Sequence, residues 1–238
     1  MAPQPTKSGA KLAQHRTPGK AVGLPAATVA RLPIYLRGLN EVKARGIEVI
    51  SSEELADSIN VTSAQLRKDL SYLGGHGTRG VGYDVTDLIQ ALSVTLGVDK
   101  QWPIVIVGCG NLGMSLAKYA GFTNRGFKIA ALFDAAPEII GKVVEISEGQ
   151  KVFIKDVASL ATFIRENNIQ IAVITTPAAA AQGVCDTLVN AGIFSIMTFA
   201  PISLNVPSGV DVRQIDLASE LQILTFHEQT KANEVIAI

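Results

Sequence analysis

Two textures along the chain predict an α/β protein built in two parts. Residues 25–96 carry helical patterns interrupted once by a glycine-rich stretch. From residue 102 near-continuous apolar runs alternate with helices of about 10 to 15 residues, the pattern of a parallel sheet covered on both faces. The stretch "PIVIVGCGNLG", residues 103–113, opens that second part and poses the functional question. A nucleotide held there would either react or only be sensed.

Composition narrows the class. At 238 residues, with 47% hydrophobic and 18% charged residues, the chain can bury a core in each part. No apolar run approaches the ~20 residues that span a bilayer, and no signal-peptide pattern opens the chain. Cys109 and Cys185 lie far apart without partners at metal-ligand spacing. These features predict a cytoplasmic protein with no membrane partner and no metal site. Net charge is zero, yet residues 1–100 carry 12 Lys+Arg against 9 Asp+Glu, and residues 101–238 carry 9 against 12. A nucleic-acid partner therefore suits the first part only.

The elements follow in order. Residues 1–24 hold no acidic residue and three prolines, and predict a basic disordered tail or a cloning remnant. An arginine-rich amphipathic pattern is missing, against a transit peptide. "PIYLRGLNEVKARG" places Ile34, Leu36, Leu39 and Val42 on an apolar side and ends at Gly46. "SSEELADSI" begins a helix with Ser51 at the cap and Glu54 three residues on, a capping box. After a short turn Thr62 caps a second helix, with Gln65 in its third position. "GGHGTRGVGYDV" has five glycines in twelve residues and predicts a tight hairpin around Tyr83 and Val85. "TDLIQALSVTLG" closes the module as a helix capped at Thr86, and the boundary falls near residues 97–101.

In the second part the predicted strands are "PIVIVG", "KIAALFD", "IQIAVITT" and "FSIMTFA". The predicted helices are "LGMSLAKYAGF", "VASLATFIRENN" and "AAAAQGVCDTLVNAG", with one more amphipathic helix over 217–230. The domains expected are the tail at 1–24, a DNA-binding module at 25–98, a dinucleotide-binding domain at 101–215 and a C-terminal helix at 216–238.

Two short capped helices joined by a tight turn and followed by a glycine-rich hairpin make a winged helix-turn-helix. In its second helix Leu66, Leu70 and Leu73 face the core, which leaves Ser63, Ala64, Gln65, Arg67, Lys68, Ser71 and Tyr72 on the other side. Guanidinium suits guanine, amide suits adenine, and hydroxyls and lysine suit phosphate. Arg79, between glycines at the hairpin tip, suits a minor groove or a phosphate. Asp69 is expected to pair locally or to orient Arg67. The competing reading is a plain solvated face.

"VIVGCGNLG" fits G-x-G-x-x-G as Gly108, Gly110 and Gly113, after an apolar strand and opening a helix. Gly108 permits the turn, Gly110 lets the backbone approach a pyrophosphate, and Gly113 allows close packing of helix on strand. Asp134 ends the next strand 21 residues past Gly113, where a carboxylate binds ribose hydroxyls and repels a 2′-phosphate. This favours NADH and NAD+ over the phosphorylated forms, on a Rossmann-type sheet. A relative that holds coenzyme A through the same loop stays open. Cys109 is either small filler or a thiol activated by the helix start.

Hydride transfer usually needs an acid or base near the nicotinamide. The histidines are His15, His76 and His227, and none follows a strand of the sheet. "TTPAAAA" and "FAPISLNVP" are poor in acid–base groups. The chain is expected to sense its cofactor rather than turn it over. The competing reading is an NAD-dependent reductase with an accessory DNA-binding module.

"RLPIYLRGL", "SSEELADSINVTSAQLRKDLSYLGGHGTRGVGYDV", "GCGNLG", "TTPAAAAQ", "FAPISLNVPSGVDV" and "IDLASELQ" together resemble the Rex family of redox-sensing transcriptional repressors over residues 25–230. The resemblance implies a homodimer whose last helix swaps onto the partner subunit. It implies binding to a palindromic double-stranded operator when NADH is scarce, and release when NADH rises. The family pattern carries over at Arg67, Lys68, Asp69, Ser71 and Tyr72 in the recognition helix, and at Arg79, Gly80 and Tyr83 in the wing. Candidate cofactor contacts are Gly108, Cys109, Gly110, Asn111, Leu112 and Gly113, with Asp134, Tyr119, Thr176, Pro177 and Phe199. Arg37, Asp216 and Leu217 match positions of the dimer and its switch. An apolar lining from Ala178, Phe199, Ala200, Pro201 and Leu217 would disfavour the charged nicotinamide of NAD+; plain packing is the alternative for these residues.

Overall fold

The computed structural model describes residues 23–74, 76–78 and 80–236. The expectations for the tail and for Arg79 fall on residues 1–22 and 79, outside the described residues.

The first part opens with α1 (Ala26–Ala44). It is followed by β1 (Val49–Ile50), α2 (Ser52–Ser58) and α3 (Ser63–Ser71), then β2 (Gly77–Thr78), β3 (Gly82–Asp84) and α4 (Val85–Leu96). Their core is built from Leu32, Tyr35, Leu39 and Val42 of α1 against Leu55, Leu66, Leu70, Leu88 and Leu92. Leu39 and Val42 are buried as expected and Leu36 packs against them, but Ile34 is exposed and Tyr35 fully buried in its place. Hydropathy ranks isoleucine above tyrosine. Here the ring fills the core while the hydroxyl finds a buried acceptor, which a tyrosine alone can combine.

Local capping follows the sequence closely. Ser51 and Glu54 form both hydrogen bonds of the capping box, and the Thr62 hydroxyl accepts from the Gln65 N–H at 3.2 Å. The cap of α4 is corrected: Asp84, not Thr86, accepts from the Asp87 N–H at 2.9 Å. The helix starts earlier because Val85 is buried as its first residue rather than paired in the hairpin. β2 and β3 form the predicted hairpin, and β1 adds an unpredicted third strand antiparallel to β3. Gly82 (φ +115°) lies where any side chain would strike the Ile50 carbonyl, so the close crossing of β1 and β3 requires glycine.

The second part begins with β4 (Trp102–Val107), α5 (Asn111–Ala117), α6 (Ala120–Thr123) and β5 (Phe127–Asp134). A hairpin of β6 (Val143–Ser147) and β7 (Gln150–Asp156) leads through a 3-10 turn to α7 (Leu160–Asn167). Then come β8 (Ile171–Ile174), α8 (Ala178–Asn190), β9 (Ser195–Thr198), β10 (Asp211–Gln214) and α9 (Leu217–Ile236). The seven strands lie in the order β10-β9-β8-β4-β5-β7-β6, all parallel except β6. Apolar clusters pack on both faces. This is a Rossmann-type sheet following a winged helix-turn-helix, the α/β class the sequence predicts. The helix expected over 112–122 breaks at Lys118 into α5 and α6. The β6–β7 hairpin and β10 add to the strands the sequence predicts. Among the described residues no helix is long and apolar enough to cross a membrane.

Candidate functional site

The strand order reverses between β4 and β8, so the crevice beyond their carboxyl ends is the switch point where α/β sheets take ligands. Two loops meet there. Gly108, with φ +101°, turns the chain off β4, and its N–H donates to the Phe133 carbonyl at 2.8 Å. A side chain at Gly113 would collide with the Gly108 carbonyl and sit 2.8 Å from the Thr175 hydroxyl. Above Gly110, nothing lies within 4 Å of where a side chain would begin, so backbone is open to a ligand's approach. Gly110 caps α5 without a side-chain bond, which leaves N–H groups at the helix start for an anion. All three glycines thus have the geometry a pyrophosphate loop demands.

Asp134 closes the loop from the neighbouring strand. Its Oδ2 accepts from the Cys109 N–H at 2.6 Å and its Oδ1 from the Ala136 N–H at 2.9 Å. Backbone donors hold the carboxylate beside the glycine turn. Cys109 itself is buried, its thiol donates to the Phe133 carbonyl, and burial with the nearby Asp134 charge pushes its pKa up to about 12. The thiolate is therefore disfavoured, the opposite of an activated redox thiol.

From β8, Thr175 and Thr176 divide their work. The Thr175 hydroxyl donates toward the Gly108 carbonyl at 2.7 Å and lies 3.1 Å from that of Val107. Sequence reasoning passes over Thr175, since the adjacent threonines look alike without the crossing of loop and strand. The Thr176 hydroxyl is buried and has no partner among the described residues, so it offers a donor and acceptor to a bound molecule. Phe199 is half-buried against the same core as Cys109, and its N–H extends the sheet to Ile174 at 2.9 Å. Pro177 caps α8, Asn111 and Leu112 are exposed at the start of α5, and Tyr119 is exposed with its ring edge-on to Phe122.

The recognition helix α3 is anchored by a buried charge. Asp69, 1% exposed, accepts five hydrogen bonds: from Thr28, Gln65 and Arg31 at Oδ1, and from Arg31 and Tyr35 at Oδ2. Burial would raise its pKa, but the bonds from Arg31, Tyr35 and Thr28 reverse that and hold it well below the usual carboxylate range. The expectation that Asp69 pairs locally or orients Arg67 is corrected. It faces inward and ties α3 to α1. Gln65 is drawn in with it, half-buried, its amide bonded to Asp69 at 3.0 Å. Lys68, Ser71 and Tyr72 are exposed, with the Ser71 hydroxyl on the Lys68 carbonyl. Arg67 is exposed and bonds Glu53, Ser52 and Ser63, the last of these half-buried. It borders a cleft of about 470 Å³ between α2 and the wing.

At the far end, Asp216 accepts from the Ala218 N–H at 3.0 Å and the Ser219 hydroxyl at 2.7 Å, which lowers its pKa and caps α9. Arg37 is exposed on α1. Every described side chain of α9 through residue 231 is exposed, among them Leu217, Leu221, Ile223, Leu224 and Phe226.

Comparison with known proteins covers both parts of the chain. Residues 23–71 match a family described as putative DNA-binding protein N-terminus, and residues 99–202 match a CoA binding domain. The chain is 54% identical over 223 residues to the redox-sensing transcriptional repressor Rex of Streptomyces coelicolor, covering 94% of this chain and 84% of the relative. It is 43% identical over 208 residues to Rex of Desulforamulus reducens, covering 87% and 97%. The crystal structure of RSP in complex with β-NADH superposes with a TM-score of 0.81 at 33% identity, covering 92% of this chain and all of that one. The complex of RSP with β-NAD+ and operator DNA also gives 0.81, at 34% identity, over 91% and 98%. With a DNA-binding module and a dinucleotide loop matched along nearly its whole length, the chain belongs to the Rex family of redox-sensing transcriptional repressors.

Proposed function

We propose that this chain is a cytoplasmic, homodimeric repressor that occupies a palindromic operator when NADH is low and leaves it when NADH binds. The observation that carries the sensing half is the glycine turn with Asp134 bonded to its Cys109 N–H. In this reading the N–H groups at the start of α5, from Asn111 to Gly113, hold the pyrophosphate, while those of Gly108 and Cys109 stay on Phe133 and Asp134. Asp134 accepts from ribose hydroxyls and repels a 2′-phosphate. The free Thr176 hydroxyl supplies a further polar contact. Ala178, Phe199 and Pro201 give an apolar wall that penalises the positive ring of NAD+ relative to neutral NADH, while Ala200 is buried in the core. The cofactor is a ligand here and is not turned over. In the DNA module at 25–98, Arg67, Lys68, Ser63, Ser71, Tyr72 and Arg79 meet the duplex, and Gln65 serves chiefly through Asp69.

A complete switch from 99:1 to 1:99 needs ~5.5 kcal/mol of differential binding, shared by two sites in a dimer. Residues 216–238 are proposed to swap onto the partner subunit, which would bring Asp216 toward Arg37. Reversing charge at either position is expected to abolish operator binding, and reversing both to restore it. Failure of the double variant to bind would remove that pair from the switch. The reading as a whole is tested by gel-shift titration of a protein–operator complex with NADH, NAD+, NADPH and coenzyme A in parallel. NADH alone should release the DNA at low concentration. Equal release by NADH and NAD+ refutes redox sensing, and release by coenzyme A favours the other ligand class.

A further inference from the structure

Glu53 sits in the first turn of α2, where a carboxylate favours the helix dipole. Its Oε1 accepts from Arg67 Nη1 at 2.8 Å. The Ser52 hydroxyl accepts from the same nitrogen at 3.0 Å, and the Ser63 hydroxyl accepts from Nη2 at 3.3 Å. The Ser52 hydroxyl in turn donates to Glu53 Oε2 at 3.1 Å, so its own orientation is fixed. Two helices therefore converge three oxygens on one guanidinium of the recognition helix. Arg67 also holds the Glu53 carboxyl below its ordinary pKa.

Stability does not account for this arrangement. Both side chains are more than half exposed, and an exposed ion pair is worth ~0.2–1 kcal/mol. The consequence lies in how Arg67 meets DNA. A free guanidinium pairs with the nearest phosphate of any sequence, a contact without information. A guanidinium whose fork is already aimed can reach the O6 and N7 atoms of one guanine. The Glu53 charge near the phosphates disfavours every duplex alike, so only a well-formed base contact overcomes it.

We propose that Glu53 is a positioning residue that aims Arg67 and gives up DNA affinity in return for sequence discrimination. The proposal rests on the DNA-binding reading above, and its test separates the two. The full-length protein selects from a pool of randomised duplexes, the bound DNA is sequenced, and affinity for the unselected pool is measured across salt. Wild type is expected to enrich an inverted repeat. Glu53→Gln, which keeps the shape and removes the charge, should bind the unselected pool more tightly. Its slope of log K against log salt should steepen by about 0.9, because the released guanidinium neutralises one more phosphate. Enrichment should fall about tenfold at one base pair of each half-site, the loss of one bidentate contact. In an Arg67→Ala background the same substitution should leave enrichment unchanged, which a general loosening of α2 would not do. Unaltered enrichment by Glu53→Gln, or an equal loss at all positions, overturns the positioning role. A wild-type protein that enriches nothing overturns the DNA-binding reading and this role with it.

Discussion

Asp69→Ala is expected to destabilise the N-terminal module by about 3–5 kcal/mol, the usual consequence of breaking a buried ion pair on one side. The substitution removes one acceptor group and strands four donors. Thr28 and Tyr35 are almost fully buried, Arg31 is largely covered, and Gln65 would keep an unpaired amide. Loss of this size exceeds what most single surface changes produce and is a large share of a small domain's stability. Urea unfolding should show an early transition confined to this module, together with loss of operator binding. Dinucleotide binding, built on β4, α5 and β5, should persist. Equal stability of wild type and variant would show that water replaces Asp69 without penalty.

The same network sets a pH window. Asp69 has a folded pKa below its ordinary 3.8, so its contribution is complete above that value and is lost as pH falls through it toward the lower folded value. Tyr35 is shifted the other way, to about 12 from 10.0, chiefly by burial and then by its bond to Asp69. Its contribution is complete below pH 10 and is lost as pH climbs through 12. The wild-type module should therefore lose stability at both extremes, and Asp69→Asn should flatten the acid limb.

The contrast between Ser51 and Asp69 explains what the sequence reveals. Caps act within four residues, so Ser51 with Glu54 and Thr62 with Gln65 are legible without any tertiary structure. The glycine turn is legible for a different reason: the G-x-G-x-x-G spacing after an apolar strand is a local pattern. What crowds Gly108, however, is the distant Thr175–Thr176 backbone, Gly113 meets both the Gly108 carbonyl and the distant Thr175 hydroxyl, and Gly110 meets nothing within 4 Å. Apart from Gln65, Asp69 bonds to residues 34 to 41 positions away. In the sequence it follows Arg67 and Lys68, where an acid reads as one more surface charge. Only the packing of α1 on α3 turns it inward. Thr175 is hidden for the same reason, because its acceptors lie 67 and 68 residues back on β4 and its loop. The β6–β7 hairpin is hard to see because its strands alternate buried and exposed residues toward the sheet edge, without the near-continuous apolar runs of the central strands.

Replacing Leu221 and Leu224 together by aspartate is expected to convert the proposed dimer to a monomer. On a helical period Leu217, Leu221 and Leu224 share one stripe of α9, while Ile223 and Phe226 project from other sides. All five are 53–66% exposed. A helix apolar on more than one side cannot be satisfied by lying on a single surface, and it requires insertion between bodies. Covering each such side chain is worth ~1.5–3 kcal/mol, so two aspartates reverse a large part of the association energy and add buried charge. The dimer presents two recognition helices to two half-sites, and the second contact is then intramolecular, which raises affinity by about 10²–10⁴. Operator affinity of the double variant should fall at least about hundredfold on that ground. Sedimentation should give a monomer, and circular dichroism should be little changed, because these side chains support no core within their own chain. A variant that remains dimeric and holds the operator at wild-type affinity would place the subunit contact on another face and leave the apolar sides of α9 without this explanation.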